Sequence, residues 1–263
     1  MRGLLVLAAL AGCDQLFDLD RLPDGTGVTG DGAVAGDGQA SDAAPCLDDG
    51  RDEDGDGLAD GCDACPTVVQ TPEDDDGDGL PNACDPDLSM TGDRILFAAM
   101  FATSTELTEK FTYQNAAHSS TDGAVTLGNS AYLSTKMPVM PTKIELRVSG
   151  IYGDGYASET VLRAPPTIAC HVHSANCAGT NTAQSCMTTE PVSGESSATQ
   201  PSSSISKLDM YASGANIVCR AEVAASPLLT AMTPALFGSG TITVQTSPTG
   251  STNVLSIVVY GAI

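Results

Sequence analysis

The chain has 263 residues, a formal net charge of −22 at pH 7 and no tryptophan. This acidic excess argues against a nucleic-acid partner, because binding to phosphate groups requires basic patches. The charge is concentrated, since 22 of the 33 acidic residues lie between Asp14 and Asp87, opposed only by Arg21 and Arg51. From Leu88 onward, 11 acidic residues accompany 8 basic ones. The acidity therefore belongs to one segment and not to the whole chain.

The first residues, MRGLLVLAALAGC, place one arginine before a short apolar run and a cysteine. This pattern predicts a secretory signal, and the run is too short to span a bilayer as a helix. The sequence Leu10-Ala11-Gly12-Cys13 resembles the bacterial lipobox, which implies cleavage before Cys13 and lipidation of its thiol. We therefore expect a signal peptide over residues 1–12 and an exported lipoprotein anchored in the bacterial cell envelope. The outer membrane or the cell surface is favoured over the inner membrane.

Residues 13–45 are rich in Gly, Asp and Ala and show no sustained apolar periodicity. Such a composition cannot bury enough apolar surface to offset the entropy of folding. The segment is therefore predicted to be a flexible, lipidated tether, with a mean span of roughly 30 Å in coil statistics.

Residues 46–87 contain one acidic loop twice, as DEDGDGLADGCD and DDDGDGLPNACD, beginning 22 residues apart. Oxygen-bearing side chains occupy loop positions 1, 3, 5, 9 and 12 in both copies, and a glycine occupies position 6. These side chains are Asp52, Asp54, Asp56, Asp60 and Asp63, then Asp74, Asp76, Asp78, Asn82 and Asp85. Backbone carbonyls at position 7, from Leu58 and Leu80, add a further oxygen to each loop. Because Ca²⁺ takes six to eight oxygens in a flexible cage, we predict at least two ions, one per loop.

The loops differ from EF-hands because no amphipathic helix flanks them and position 12 is Asp instead of Glu. The sequence DEDGDGLADGCDAC, residues 52–65, resembles the thrombospondin type-3 repeat, D-x-D-x-D-G-x-x-D-x-x-D-x-C. The second copy departs from it, since Asn82 replaces an Asp and Cys84 stands at loop position 11. The resemblance implies calcium-rigidified connectors. It also implies two disulfides among four cysteines that would otherwise allow three pairings, namely Cys46–Cys62 and Cys65–Cys84.

Residues 88–263 show short apolar segments separated by Gly, Ser, Asn and Pro, which is typical of strands joined by turns. Apolar and polar residues alternate in KIELRVSG (143–150), and the run 254–260 is apolar enough for a buried strand. A short helix is predicted near 103–110. Further strands are predicted at 95–101, 123–127, 131–135, 167–173, 205–212, 217–223 and around 242–245. The predicted fold is therefore mainly β: a jelly-roll-like β-sandwich preceded by disulfide-stapled calcium loops with little regular secondary structure.

The order of these segments resembles that of concanavalin A-like (laminin G-like) jelly rolls. An early apolar strand ends in Phe101, a long strand leads to a Gly-Asp-Gly turn at 153–155, and VLSIVVYG comes last. The lack of tryptophan is a departure from many members of that group. The resemblance makes carbohydrate binding one function to consider, by analogy of fold alone.

The nine cysteines support an oxidising compartment, because assigning Cys13 to a lipid leaves eight, an even number. Strand alternation turns Cys170 and Cys219 toward the core, where they could bridge two strands. Cys177 and Cys186 would then close the intervening loop, although the other two pairings of these four cysteines stay open.

His171 and His173 form an H-x-H pair of the kind that can begin a zinc site. Alternation turns both rings outward, and no second pair of ligands lies nearby in the sequence, so we predict no metal there. No G-x-S-x-G elbow, phosphate-binding loop or H-E-x-x-H motif occurs. We therefore do not expect an enzyme.

The sequence as a whole predicts a calcium-binding envelope lipoprotein with a structural or adhesive role. A calcium-rigidified spacer would present the β-sandwich to a protein or glycan ligand. The alternative is a carbohydrate-binding, lectin-like adhesin, and a glycanase comes third. Aromatic side chains clustered on one sheet face would favour the lectin, and the candidates are Tyr113, Tyr132, Tyr152, Tyr156, Tyr211 and Tyr260.

Overall fold

The computed structural model describes residues 50–153, 159–174, 185–192 and 194–262. Strands dominate this part of the chain, which confirms the mainly β fold class. The strands are β1 Asp93–Ala99, β2 Phe111–Ser119, β3 Ala124–Thr135, β4 Lys143–Gly153, β5 Glu159–Ala164, β6 Ile168–Ser174, β7 Ser185–Glu190, β8 Glu195–Ala198, β9 Lys207–Ser213, β10 Asn216–Val223, β11 Ser226–Pro234, β12 Thr243–Thr246 and β13 Gly250–Ala262. One α-helix, α1, spans Ser104–Lys110, and two 3₁₀ turns span Asp60–Cys62 and Ser202–Ser204.

The strands form one antiparallel sheet in the order β11-β10-β9-β4-β13-β3-β12-β5-β6-β7-β8. Two strands lie outside this path, because β1 pairs with β13 and β2 pairs with β3. The sheet folds back on itself, so that β11 packs against β7 and β8. A disulfide between Cys170 on β6 and Cys219 on β10 joins the two layers. The result is a jelly-roll-like sandwich around one main apolar core.

Strand β13 is buried on both of its faces, as its continuous apolar run predicts. Ile257 and Val259 point into the main core of the sandwich. Val258 and Tyr260 point the other way, into a second apolar cluster that includes Cys65, Leu80, Cys84 and Met100. A strand in the middle of a sheet reads as uninterrupted hydrophobic sequence when both faces are covered.

The cover on the second face of β13 is the acidic segment. Residues Pro45–Ile263 form one compact unit, so the segment and the sandwich pack together. Between residues 50 and 92 the only regular element is the 3₁₀ turn at Asp60–Cys62. The segment is therefore ordered by its turns, its disulfides and its contacts with the sheet.

Disulfide bonds agree with the predicted framework wherever both partners are described. Cys65 pairs with Cys84, and Cys170 pairs with Cys219. Cys62 and Cys186 are also disulfide-bonded. Their predicted partners, Cys46 and Cys177, lie outside the described residues, as do Cys13 and the tether. Among the residues that are described, no helix has the length and apolarity needed to cross a membrane.

The bridge between Cys170 and Cys219 should make a large contribution to the stability of the sandwich. It closes a loop with a sequence separation of 49 residues, for which chain entropy alone predicts about 4 kcal/mol. We expect the double variant Cys170→Ala/Cys219→Ala to lower the free energy of unfolding by about this amount in urea titrations. The loss should be equal with and without Ca²⁺, because the bridge lies in the sandwich core. Unchanged stability would contradict this assignment.

Candidate metal centre

The first acidic loop closes around the side chain of Asp52. Its Oδ1 accepts hydrogen bonds from the backbone N–H groups of Gly55 (2.7 Å) and Asp56 (3.1 Å). Its Oδ2 accepts a third from Gly57 (2.9 Å). Gly57 has a φ of +95°, a left-handed conformation that a residue with a Cβ adopts only under strain. The predicted turn glycine thus has a physical role.

The second loop repeats two of these three hydrogen bonds. Asp74 accepts hydrogen bonds from Gly77 (2.8 Å) and Gly79 (3.0 Å), and Gly79 has a φ of +93°. At position 9, Asn82 Oδ1 accepts from the backbone N–H of Asp75 at 2.9 Å. Asp60 accepts from Glu53 in the same way at 2.8 Å. Asn82 therefore supplies the same side-chain oxygen as the aspartate that it replaces.

Within each loop, one oxygen of several carboxylates is used by the backbone while the other is left over. Asp54 and Asp76 each accept one backbone hydrogen bond through Oδ1, at 3.0 Å and 3.2 Å. Their Oδ2 atoms, and that of Asp85, are buried and have no hydrogen-bond partner. A buried acceptor without a partner costs free energy, so these atoms are suited to a ligand that the backbone does not provide.

The carboxylates of each loop also converge. One oxygen from each of Asp52, Asp54 and Asp56 lies within 4.8 Å of the others, and Asp74, Asp76 and Asp78 form an equivalent group. Burial raises the pKa of Asp54, Asp63 and Asp85, and neighbouring loop carboxylates raise it further. Crowded oxygens of this kind fit a hard divalent cation, which would cancel the repulsion that raises these pKa values.

The position-7 residues occupy different environments. The Leu58 side chain is 42% exposed, whereas the Leu80 side chain is 4% exposed and belongs to the second apolar cluster. Leu80 therefore anchors its loop to the sheet, which the shared motif does not reveal. The use of the two carbonyl oxygens as ligands stays a prediction.

Asp93, at the start of β1, is an acidic residue of this centre that the sequence pattern misses. It is buried, and the backbone N–H of its neighbour Gly92 donates to Asp78 Oδ2 at 3.0 Å. Burial, together with the charges of Asp85 and Asp78, raises the pKa of Asp93 to about 6. Its position outside the loop register gave no signal in the sequence.

Both loops are held on the sheet by cations of β4. Arg147 donates from Nη1 to the carbonyl oxygen of Glu53 in the first loop at 3.0 Å. Lys143 donates from Nζ to the carbonyl oxygen of Cys84 in the second loop at 3.3 Å. Strand alternation predicts that Arg147 faces outward. The structure shows that this outer face is a docking surface for the acidic segment.

Glu145, between these two cations on β4, is the central residue of that docking surface. The hydroxyl of Thr67 donates to its Oε2 at 2.6 Å, and Lys143 Nζ lies 2.6 Å from its Oε1. Burial alone would raise the pKa of Glu145, but Lys143 and Lys207 outweigh burial and lower it. Glu145 is therefore a buried, charged anchor.

The row beside Glu145 continues as a network of ion pairs across β9 and β10. Lys207 Nζ lies 3.4 Å from Asp209 and 3.5 Å from Glu222. Arg220 contacts the same two carboxylates at 2.8 Å and 2.7 Å. A cavity of about 560 Å³ lies where this network meets the acidic segment, lined by residues from both.

The two histidines have the orientation that strand alternation predicts, because Cys170 and Val172 are buried while His171 and His173 are partly exposed. The structure also places Glu159 of β5 beside them, and one ligand atom from each of the three residues lies within 4.8 Å of the others. Glu159 is not predictable from the local pattern, because no strand is predicted over the residues of β5.

No protein-family model matches the chain, and no curated protein matches it. Among solved structures, the chain is similar to a legume lectin-like domain from Entamoeba histolytica, with 9% identity, a TM-score of 0.44, and coverage of 61% of this chain and 93% of that one. It is similar to a Bacillus licheniformis beta-glucanase, with 10% identity, a TM-score of 0.45, and coverage of 62% and 96%. It is also similar to the exoplasmic/lumenal domain of VIP36 in a Ca²⁺- and Man-bound form, with 12% identity, a TM-score of 0.42, and coverage of 58% and 83%. At these identities and TM-scores, function has to be inferred from the residues of this chain.

The pKa of Asp93 generates a prediction about pH. Because the folded protein holds this proton more tightly than the unfolded chain, the stabilisation is present below pH 3.8 and is lost as the pH rises to about 6. In chelator, the wild type should lose stability as the pH rises from 3.8 to about 6, whereas Asp93→Asn, which does not ionise, should not. The free energy of unfolding of the variant should therefore increase relative to that of the wild type across this pH range. Urea titrations at several pH values measure it. Added Ca²⁺ should shrink the difference, and a difference independent of pH would contradict the assignment.

Proposed function

We propose that the protein is a calcium-dependent interaction module of the cell envelope, in which two Ca²⁺ ions lock the acidic segment onto the β-sandwich. The observation that carries this proposal is the set of buried, unpartnered carboxylate oxygens on Asp54, Asp76 and Asp85. They belong to two loops of the same conformation. In the same loops, both oxygens of Asp52 and both oxygens of Asp74 accept hydrogen bonds from the backbone.

Charge supports a cation at each loop. In the first loop, Arg51 contacts the carboxylates of Glu53 and Asp60 and also the carbonyls of Met100 and Gly123, while Arg147 donates to the carbonyl of Glu53. A guanidinium donates hydrogen bonds in fixed directions in one plane, so neither arginine replaces a cation that six to eight oxygens surround. A bound Ca²⁺ would be the largest local charge and would reverse the repulsion among the carboxylates.

Calcium would also affect the sheet, because the atoms that dock the segment belong to the loops or lie between them. The carbonyl of Glu53 is at position 2 of the first loop, and that of Cys84 is at position 11 of the second. Thr67 lies between the loops and contacts Glu145. Ion binding would fix these partners over the charged face of β4, β9 and β10, so we propose that the segment acts as a clamp on the surface of the sandwich.

The structural or adhesive role and the envelope location belong to the same proposal. Attachment through a lipid on Cys13 is supported by the LAGC motif, and the Gly- and Asp-rich tether would give the module reach from the membrane. The clamped face would then be presented to a protein or glycan outside the membrane.

The loops should lose calcium independently when their unsatisfied carboxylates are removed. Calorimetric titration of the wild type should give two ions per chain. Asp54→Ala should weaken binding at the first loop, and Asp76→Ala at the second, each by at least about ten-fold, or roughly 1.4 kcal/mol. The exposed residue Glu109, on α1, supplies a matched control, and Glu109→Ala should bind as the wild type does. The absence of binding at millimolar Ca²⁺, or stoichiometry and affinity unchanged in both loop variants, would refute the proposal.

Glycan binding is the second candidate function, and the cavity between the acidic segment and the sheet favours it. Its lining includes Arg220 and Glu222, charged groups that can hydrogen-bond hydroxyls in a fixed geometry. The tyrosines supply less support, since Tyr260 is fully buried and Tyr113 and Tyr132 point to opposite faces of the β2–β3 pair.

A glycan screen of the whole protein in Ca²⁺ and in chelator tests this second candidate. We expect binding only with Ca²⁺, because the ions hold one wall of the cavity in place. Glu222→Gln should abolish binding, while Glu109→Ala should preserve it. Binding that persists in chelator, or in Glu222→Gln, would place the glycan elsewhere on the protein.

A further inference from the structure

We propose that Glu159, His171 and His173 form a second metal site, selective for a first-row transition-metal dication such as Zn²⁺ or Cu²⁺. It lies on the outer face of β5 and β6, on different strands from those that hold the acidic loops. Its ligands are two imidazoles and one carboxylate, in contrast to the oxygen cages proposed for Ca²⁺.

Sheet register brings the three residues together. Glu159 of β5 is the direct partner of His173 on β6. His171 is two residues earlier on β6, so its side chain points to the same face. All three positions are therefore set by the backbone ladder of a paired strand, which is a more rigid support than a loop.

The distances fit a single ion. Glu159 Oε1 lies 2.8 Å from His171 Nδ1, and Glu159 Oε2 lies 3.6 Å from His173 Nδ1. Two ligands of one tetrahedral Zn²⁺ are separated by about 3.3 Å, given metal–ligand distances of about 2.0–2.1 Å. One of the two observed distances is shorter than this value and the other is longer. The imidazole rings are nearly parallel, at 11° and 6.2 Å between centroids, so both Nδ1 atoms can face the same point beside Glu159.

Each outer ring nitrogen has an oxygen nearby, although His171 Nε2 makes no hydrogen bond in the structure. His171 Nε2 is buried, and Glu190 Oε1 lies 3.4 Å from it. His173 Nε2 lies 3.4 Å from the hydroxyl of Thr188. A histidine that binds metal through Nδ1 carries its proton on Nε2 and donates it to such a group, which fixes the tautomer and the ring. Arg163 in turn holds Glu190 at 3.0 Å.

The donor set determines which ions the site would accept. Imidazole suits Zn²⁺ and Cu²⁺, whereas Ca²⁺ takes oxygen ligands almost exclusively. Cys186 is the strand partner of His173, but it is disulfide-bonded and offers no thiolate. The side chains of His171, His173 and Glu159 are 12%, 26% and 27% exposed, so an ion can enter from solvent and keep water or an external ligand.

The test uses the full, untagged chain in excess Ca²⁺, so that the acidic loops are already filled. Zn²⁺ titration by calorimetry should show one further ion, and the electron paramagnetic resonance spectrum of bound Cu²⁺ should show coupling to two imidazole nitrogens. His171→Gln, His173→Gln and Glu159→Gln should each weaken Zn²⁺ binding by at least about ten-fold, and Glu190→Gln by about ten-fold. His118 bonds to the carbonyl of Phe101 elsewhere in the protein, so His118→Gln is the matched control and should bind normally.

Two results would overturn the proposal. One is the absence of a further Zn²⁺ ion in excess Ca²⁺. The other is a Cu²⁺ spectrum with fewer than two coupled nitrogens. The spectrum is recorded on the wild type, so it decides the question even if a variant fails to fold. Folding of each variant is checked by its circular dichroism and thermal unfolding without metal.

Discussion

The packing of the acidic segment on the sheet centres on the buried carboxylate of Glu145. Glu145 accepts a hydrogen bond from the hydroxyl of Thr67, lies next to Lys143 and is 1% exposed. Such a group is tolerable only while its partners stay in place, because an uncompensated buried charge costs about 3–5 kcal/mol. Any state in which the loops leave the sheet must therefore hydrate this face. The seating of the acidic loops and the ion pairs on the sheet depend on each other for that reason.

The two proposed metal sites would present two kinds of ligand on separate surfaces of the sandwich. At the acidic loops, carboxylates converge, and Asp54 and Asp76 each keep one buried oxygen without a hydrogen bond. On β5 and β6, the pleat lines up two imidazoles with one carboxylate. The loops obtain their geometry from glycines with positive φ, whereas the histidine group obtains it from strand register. Ca²⁺ would thus bind at the oxygen ligands of the loops and Zn²⁺ or Cu²⁺ at the histidines, so the ions would not compete for one site.

Local patterns were sufficient to predict the loops and the strands whose two faces differ. Ile144, Leu146 and Val148 are buried as the alternation predicts, and α1 begins and ends close to the predicted bounds. Strand β2 was missed because it is an exposed strand of mostly polar residues, FTYQNAAHS. Predicted segments 123–127 and 131–135 belong to one strand, since the Gly-Asn-Ser between them continues β3 instead of forming a turn. Asp93 and Glu159 became visible only when distant segments came together.

The position of β13 has a consequence for the order in which the molecule assembles. Among the described strands, β13 comes last in the sequence, yet it lies between β4 and β3 in the sheet and also pairs with β1. Its residues Val258 and Tyr260 pack against the acidic segment. Strand β1 therefore pairs with a strand more than 150 residues later in the sequence, since Asp93 pairs with Ala262. Such long-range pairing makes folding slow. The surface on which the acidic segment rests is incomplete until that strand is in place, so the segment can seat correctly only late in folding.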